Sequence, residues 1–240
     1  MSYGTIATAQ HGAVLLIELV SEDGMNCYTP EMGEDLVDAL RAGAADPDVA
    51  AIVLTGRGRA FCAGAHKDVL TGRVGPSGLR IGEEHFITGF APEFAQLPKL
   101  TIAAFNGAAV GIAVTMSLLC DLRIAAPQAK LRTNFAELGI IPGLGSTKLL
   151  PSLIGRANAR KLLLSERTVE APEALRIGLV DEVVDAERLL ERAFALGEGA
   201  ARCKPGTLNA IKRCLEAGPT GTIAEALDRE AATAAALRAR

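Results

Sequence analysis

The chain has 240 residues, of which 49% are hydrophobic and 22% are charged, with a formal net charge of −3. This composition is typical of a globular protein and unlike that of a disordered chain. Because the sequence contains no block of basic residues, we expect neither a nucleic acid nor an anionic membrane surface as a partner.

The cellular compartment is predicted from three further features. The N-terminal segment has no signal-peptide pattern, and the longest apolar run, residues 107–120, is short for a membrane span. The chain has five cysteines without a C-x-x-C pair, which indicates reduced thiols. Its three histidines are scattered along the sequence, so we expect no metal site. We therefore expect a cytoplasmic protein.

The first half of the chain alternates predicted strands with predicted helices. Residues 13–20 form an apolar run typical of a strand, and residues 30–43 place their large apolar side chains on one helical face. Further strands are predicted at residues 49–56, 100–107 and 121–126, and a buried helix at 111–120. This alternation indicates an α/β fold with covered strands.

Beyond Pro142 the pattern becomes helical, apart from one short predicted strand at residues 179–184. We expect residues 1–185 to form the core and residues 186–240 to form a helical region that covers the site and contacts neighbouring subunits. The alanine-rich C-terminal stretch fits a partner-facing helix and a solvated surface helix equally.

Two predicted strands lead into turns of small residues. CAGAH (62–66) follows the strand at 49–56, and NGAAVGIAV (106–114) follows the strand at 100–107. Small residues let a ligand approach the main chain, and the first turn of a helix has free N–H groups. The two turns therefore fit either a pair of amides that binds an oxyanion or simple close packing of strand ends.

Three segments resemble the successive signatures of one family. They are GRAFCAGAHKDVL, AAFNGAAVGIAVTMSLLCDLRIAA and AELGIIPGLGSTKLLPSLIGRANARKLLLS, which are similar in order and spacing to those of the enoyl-CoA hydratase/isomerase (crotonase) family. The resemblance implies a crotonase-like spiral of ββα turns with a helical C-terminal part that trimerises, often as a dimer of trimers. It also implies an acyl-CoA thioester as substrate. Coenzyme A enters as part of that substrate, so we expect no tightly bound cofactor.

The resemblance implies an oxyanion hole made of two backbone N–H groups. Ala65 matches the first donor, and Ile112, directly after Gly111, matches the second. The two groups would polarise the thioester carbonyl and hold the enolate that forms from it.

The resemblance also implies where CoA lies. Residues around Cys27 and the turn from Ala63 to Lys67 would run along the adenine and pantetheine, and Lys67 and Lys212 are candidates for phosphate contact. His66 stands where many relatives have aspartate. We expect this histidine to donate to a phosphate, to titrate near neutral pH as a catalytic group, or to fill or cap the turn.

The chain departs from the family pattern at the catalytic acids. Thr115 and Phe135 occupy the positions of the two glutamates that activate water in family hydratases, and Gly143 occupies the position of a carboxylate used by some isomerases. General acid–base catalysis contributes about 10²–10⁴-fold, so this loss disfavours hydration. Isomerisation, decarboxylation or thioester hydrolysis is favoured instead, with a non-catalytic acyl-CoA binding protein as the alternative.

Glu137 is the first candidate for a replacement acid or base. On a strand it would share the face of Phe135, whereas on a helix it would point elsewhere. Further candidates in or near the segment GLRIGEEHFITGF (78–90) are Asp68, Glu83, Glu84 and His85.

Overall fold

The fold consists of ten strands and eleven α-helices, with a π-helical turn at Leu162–Glu166 and a 3₁₀ turn at Ala186–Arg188, in a computed structural model that describes residues 3–166, 168–204, 206–217 and 221–239. The strands are β1 (Ile6–His11), β2 (Val14–Leu19), β3 (Ala51–Gly56), β4 (Ala60–Cys62), β5 (Leu100–Phe105), β6 (Ala108–Val110), β7 (Leu122–Ala125), β8 (Lys130–Arg132), β9 (Thr168–Glu170) and β10 (Glu182–Val183). The helices are α1 (Pro30–Ala45), α2 (Lys67–Leu70), α3 (His85–Thr88), α4 (Ala91–Ala95), α5 (Ile112–Ser117), α6 (Phe135–Leu138), α7 (Ser146–Lys161), α8 (Ala171–Arg176), α9 (Leu189–Ala201), α10 (Thr207–Ala217) and α11 (Ile223–Arg238).

The strands form two sheets. The large sheet has the order β1-β2-β3-β5-β7-β10, and the small sheet has the order β4-β6-β8-β9. Strands β3, β5 and β7 of the large sheet are each followed by a short strand of the small sheet, namely β4, β6 and β8, and then by a helix. This repeated step confirms the predicted spiral of ββα turns.

The large sheet is covered on both faces. Ile52 and Leu54 of β3 face the main core, whereas Ala51 and Val53 face a second cluster that includes Leu189 and Ala193 of α9. Because side chains alternate along a strand, a strand that is buried on both faces reads as a continuous apolar run. This is why residues 49–56 were predictable as a strand.

Helix α1 begins and packs as its sequence predicts. The Thr29 side chain accepts a hydrogen bond from the Met32 amide, and Pro30 occupies the first helical position, where a missing N–H costs nothing. Met32, Leu36 and Leu40 lie on the buried face and join the main core.

The helical second half is only partly continuous. Helix α7 is interrupted at Gly155, whose φ of 76° and ψ of 156° lie outside the helical region.

Helix α9 follows the boundary predicted at residue 185, yet it packs on the large sheet as part of the core. The boundary itself stays a prediction. Within the described residues, no helix is long and apolar enough to cross a membrane.

Candidate active site

The carboxyl ends of three parallel strands of the small sheet meet at one cavity of about 810 Å³. Strand β4 leads into the turn at residues 63–66, β6 leads into Gly111 and Ile112, and β8 is followed after Thr133 by Asn134 and Phe135. The turn residues 63–66, 111, 112, 134 and 135 line the cavity, together with Val110 at the end of β6. Ligand sites in open parallel sheets lie at this edge of the strands.

The backbone around Ala65 is fixed by Tyr28. The Tyr28 amide donates to the Gly64 carbonyl at 2.8 Å, and the His66 amide donates to the Tyr28 carbonyl at 2.9 Å. In a parallel bridge of this kind the N–H of the middle residue points away from the partner strand. The Ala65 amide has no acceptor among the described residues, and Ala65 borders the cavity.

A second free amide belongs to Ile112. Gly111 has φ 56° and ψ −112°, a conformation that residues with a Cβ rarely adopt, and it forms the N-cap of α5. Its own amide donates to the Arg132 carbonyl at 2.8 Å, which ties β6 to β8. Ile112 is the first residue of α5, where an amide has no partner within the helix, and the described chain supplies none elsewhere.

Thr115 and Phe135, which the family resemblance places at the glutamate positions of hydratases, both line this cavity. Thr115 is 2% exposed, and its hydroxyl donates to the Ile112 carbonyl at 3.2 Å. Phe135 is 8% exposed and contributes an apolar wall. Neither side chain carries a carboxylate, so neither can remove a proton as a general base near neutral pH.

Two carboxylates do line the cavity, and both have partners. Asp23 accepts bonds from the Ser21 hydroxyl at 2.6 Å and the Met25 amide at 2.9 Å, and these bonds lower the pKa of its carboxyl. Asp68 forms an ion pair with Arg73. Asp23 is therefore a poor proton acceptor, and the Asp68 carboxylate is engaged by a guanidinium group.

Glu137 does not reach the cavity. Residues 135–138 form helix α6 rather than a strand, so Glu137 points away from the face of Phe135. Its carboxylate lies 2.6 Å from the Arg132 guanidinium in an exposed ion pair. We therefore withdraw Glu137 as the candidate base.

Lys212 also lies outside the cavity. Its ammonium group donates to the Leu97 and Lys99 carbonyls, each at 2.9 Å, and to the Asp121 carboxylate at 2.7 Å. These three bonds use all three N–H donors of a lysine. Lys212 therefore joins α10 to the core and has no donor left for a phosphate of CoA.

His66 caps the short helix α2. Its Nδ1 accepts a hydrogen bond from the Asp68 amide at 3.2 Å, so the proton of the neutral ring is on Nε2. The ring is exposed at the cavity wall, next to Lys67. The capping role predicted for His66 is therefore observed, and Nε2 remains available to a ligand.

The other candidate acids and bases, which lie in residues 78–90, have partners outside the cavity. Glu84 is fully buried and accepts bonds from the Tyr28 hydroxyl and the Gly82 amide, each at 2.7 Å. His85 contacts Arg41 at 3.2 Å, and Glu83 accepts from the Arg80 amide at 2.8 Å. Glu83, Glu84 and His85 do not line the cavity.

Cys27 and Ala63 line the cavity as the sequence predicts. Burial raises the pKa of the Cys27 thiol, and the Asp23 carboxylate raises it further. Cys27 therefore remains a neutral thiol, and it forms part of the cavity wall rather than serving as a nucleophile.

Sequence reasoning missed Asn134 and Tyr28. Asn134 lines the cavity beside Gly111, and Tyr28 fixes the turn that carries Ala65. The only sequence signal was position: Asn134 directly precedes Phe135, and Tyr28 directly follows Cys27.

No described residue beyond position 185 lines the cavity. The predicted cover over the site is thus not supplied by the chain's own helices α9, α10 and α11.

A model of the enoyl-CoA hydratase/isomerase family matches residues 9–238 of the chain. The chain belongs to this family. It is 35% identical over 221 residues to the 1,2-epoxyphenylacetyl-CoA isomerase of Escherichia coli strain K12, covering 90% of this chain and 84% of that protein.

Solved structures of this family share the fold over nearly the whole chain. An enoyl-CoA hydratase from Bacillus anthracis matches with a TM-score of 0.88 at 31% identity, covering 99% of this chain and 92% of that one. An enoyl-CoA hydratase from Polaromonas sp. JS666 matches with a TM-score of 0.86 at 27% identity, covering 96% and 90% of the two chains.

Proposed function

We propose that this member of the enoyl-CoA hydratase/isomerase family binds an acyl-CoA thioester in the cavity and stabilises the enolate of its acyl group. The amides of Ala65 and Ile112 would donate to the thioester oxygen. The observation that carries the proposal is that both amides border one cavity and neither has an acceptor in the described chain. Donors held ready in this way stabilise an oxyanion because they need no reorganisation during the reaction.

The remaining walls fit the rest of such a substrate. Cys27, Ala63 and the turn through Lys67 would contact CoA, with the Lys67 ammonium and His66 Nε2 as donors to a phosphate. Met25, Ile81, Ile87, Phe135, Leu138 and Leu144 give the cavity an apolar part suited to an acyl chain.

The chemistry we favour reaches the enolate without a carboxylate base. With Thr115 and Phe135 at the glutamate positions, hydration would lose the groups that activate water. Decarboxylation needs no base, because the electron pair of the broken C–C bond moves into the thioester carbonyl as CO₂ leaves, and water then supplies the proton. Isomerisation of an acyl-CoA is supported by the similarity to a 1,2-epoxyphenylacetyl-CoA isomerase. A shift of a double bond is the isomerisation we favour, and thioester hydrolysis is the third reaction of this group.

The reaction is identified by incubating the protein with a panel of acyl-CoA thioesters. Mass spectrometry detects the gain of water, the loss of CO₂ or the release of CoA, and the ultraviolet absorption of a conjugated thioester detects isomerisation. Binding without conversion of any thioester would leave a non-catalytic acyl-CoA binding protein in place of the enzyme.

The role of the main chain is tested with Ile112→Pro and Ile112→Ala. Proline at the first position of a helix is tolerated, so Ile112→Pro deletes one donor with little cost to the helix. We expect its turnover to fall by about 10²–10³-fold, the usual cost of one oxyanion donor. Ile112→Ala removes the same side chain but keeps the N–H, and should retain most activity. Equal losses in the two variants would contradict the oxyanion role.

A further inference from the structure

Asn134 stands next to the second proposed oxyanion donor. It follows β8 and precedes α6, and a Cβ placed on Gly111 would lie 3.4 Å from its Oδ1. It is half-buried and lines the cavity together with Gly111, Ile112 and Thr115. Its carboxamide is thus close to where the acyl carbons nearest the thioester would lie.

The backbone on both sides of Asn134 is held in place. The Thr133 hydroxyl donates to the Leu162 carbonyl at 2.7 Å in a buried contact, and Phe135 is buried in the cavity wall. The side chain of Asn134 is therefore carried by a fixed segment and not by a free loop.

The Asn134 side chain is not used for helix capping. Asparagine at an N-cap ordinarily accepts a hydrogen bond from an amide of the first helical turn, but here no such bond forms. Within the described chain the carboxamide has no hydrogen-bond partner at all. The one acceptor and two donors of the carboxamide are therefore without a partner in the described chain, at a residue that lines the cavity.

Two other polar side chains that line the cavity already have partners of their own. The Thr115 hydroxyl proton is used by the Ile112 carbonyl, and Asp68 is paired with Arg73. Apolar side chains such as Phe135, Leu138 and Leu144 also line the cavity, and they offer no competing hydrogen bond.

We infer that Asn134 is a substrate-binding residue that selects acyl groups carrying a hydroxyl or a carboxylate group on C2 or C3, through a hydrogen bond to an oxygen of that group. The inference rests on the proposed function, since it requires the thioester to lie on the Ala65 and Ile112 amides. The oxygen belongs to a neutral hydroxyl or to a carboxylate, and both accept a bond from the amide N–H.

Binding of three thioesters to wild type and Asn134→Leu tests the inference. The ligands are butyryl-CoA, 3-hydroxybutyryl-CoA and 2-carboxybutyryl-CoA, measured by isothermal titration calorimetry. Leucine has a similar shape without hydrogen-bonding atoms. We expect wild type to prefer at least one oxygenated thioester, and Asn134→Leu to weaken that binding by about tenfold, the effect of one well-placed hydrogen bond, while butyryl-CoA binds unchanged.

A second variant, Asn134→Asp, distinguishes the two sources of oxygen. A carboxylate accepts from a hydroxyl but repels another carboxylate, so binding of the hydroxylated thioester would persist and that of the carboxylated one would fall further. Equal affinity of wild type for all three thioesters, or equal loss of all three in Asn134→Leu, would overturn the inference while leaving the proposed function intact. Failure of wild type to bind even butyryl-CoA would overturn both.

Discussion

At the scale of single residues, main-chain geometry accounts for the turns that line the site. Gly64 has φ 95°, and a Cβ there would lie 3.2 Å from the Val110 carbonyl oxygen. Gly111 is likewise held at positive φ. A side chain at either position would strain the turns that aim the Ala65 and Ile112 amides, which explains why the sequence keeps these turns small.

Glu137→Gln tests whether this acidic side chain, which lies outside the cavity, takes part in proton transfer. The Glu137 ion pair with Arg132 is exposed and lies outside the cavity. We expect turnover within about twofold of wild type and a loss of unfolding free energy of about 0–1 kcal/mol, as is usual for exposed pairs. Steady-state kinetics and thermal unfolding measure the two quantities. A loss of more than about 10²-fold in turnover with unchanged stability would place Glu137 in the chemistry after all.

The site residues differ in how far the sequence determines them. Ala65 and Ile112 were assigned through the family resemblance; both line the cavity with amides that have no acceptor in the described chain, and their role as oxyanion donors stays a prediction. The direction of Glu137 could not be predicted, because it depends on whether residues 135–138 form a strand or a helix. Lys212 was assigned wrongly because its partner Asp121 lies 91 positions away along the chain.

At the scale of elements, the length of each strand or helix determined whether the sequence could predict it. The long apolar strands β2, β3 and β5 and the helix α1 were confirmed, with ends that differ by a few residues. Strands β4, β6 and β8 have three residues each, which is too short for a period to be visible. These short strands form only because neighbouring turns of the spiral pair with them, and their ends position the site.

Helix α10 is predicted to depend on the partly buried Lys212. In Lys212→Met the methylene stem is largely kept, but the bonds to two carbonyls and to Asp121 are lost. We expect a loss of stability of about 1–3 kcal/mol, because the remaining partners are left with unmet hydrogen bonds. Hydrogen exchange should accelerate in residues 207–217 more than in α9.

The matched control for this prediction is Lys204→Met, which makes the same change at an exposed lysine. It should leave the exchange of residues 207–217 unaltered. Similar exchange rates in wild type and Lys212→Met would show that α10 is held by other contacts.

At the scale of the whole molecule, the C-terminal helices expose large apolar side chains. Ile211 and Leu215 of α10 are 55% and 68% exposed, and Ile223 and Leu227 of α11 are 83% and 60% exposed. Helices α10 and α11 contact each other and are linked to the core through Lys212. Exposed apolar side chains grouped in this way are typical of a protein interface.

We propose that α10 and α11 join copies of this chain into a trimer or a dimer of trimers, as the family resemblance implies. Leu215→Glu places a charge on this surface and should shift the protein towards monomers, because burying an unpaired carboxylate costs several kcal/mol. Arg213→Glu adds the same side chain two positions earlier, on the opposite side of the helix, and should leave the assembly intact. Light scattering coupled to size-exclusion chromatography measures the mass of each variant. A monomeric wild type, or a Leu215→Glu variant with the mass of wild type, would show that this surface does not hold the assembly together.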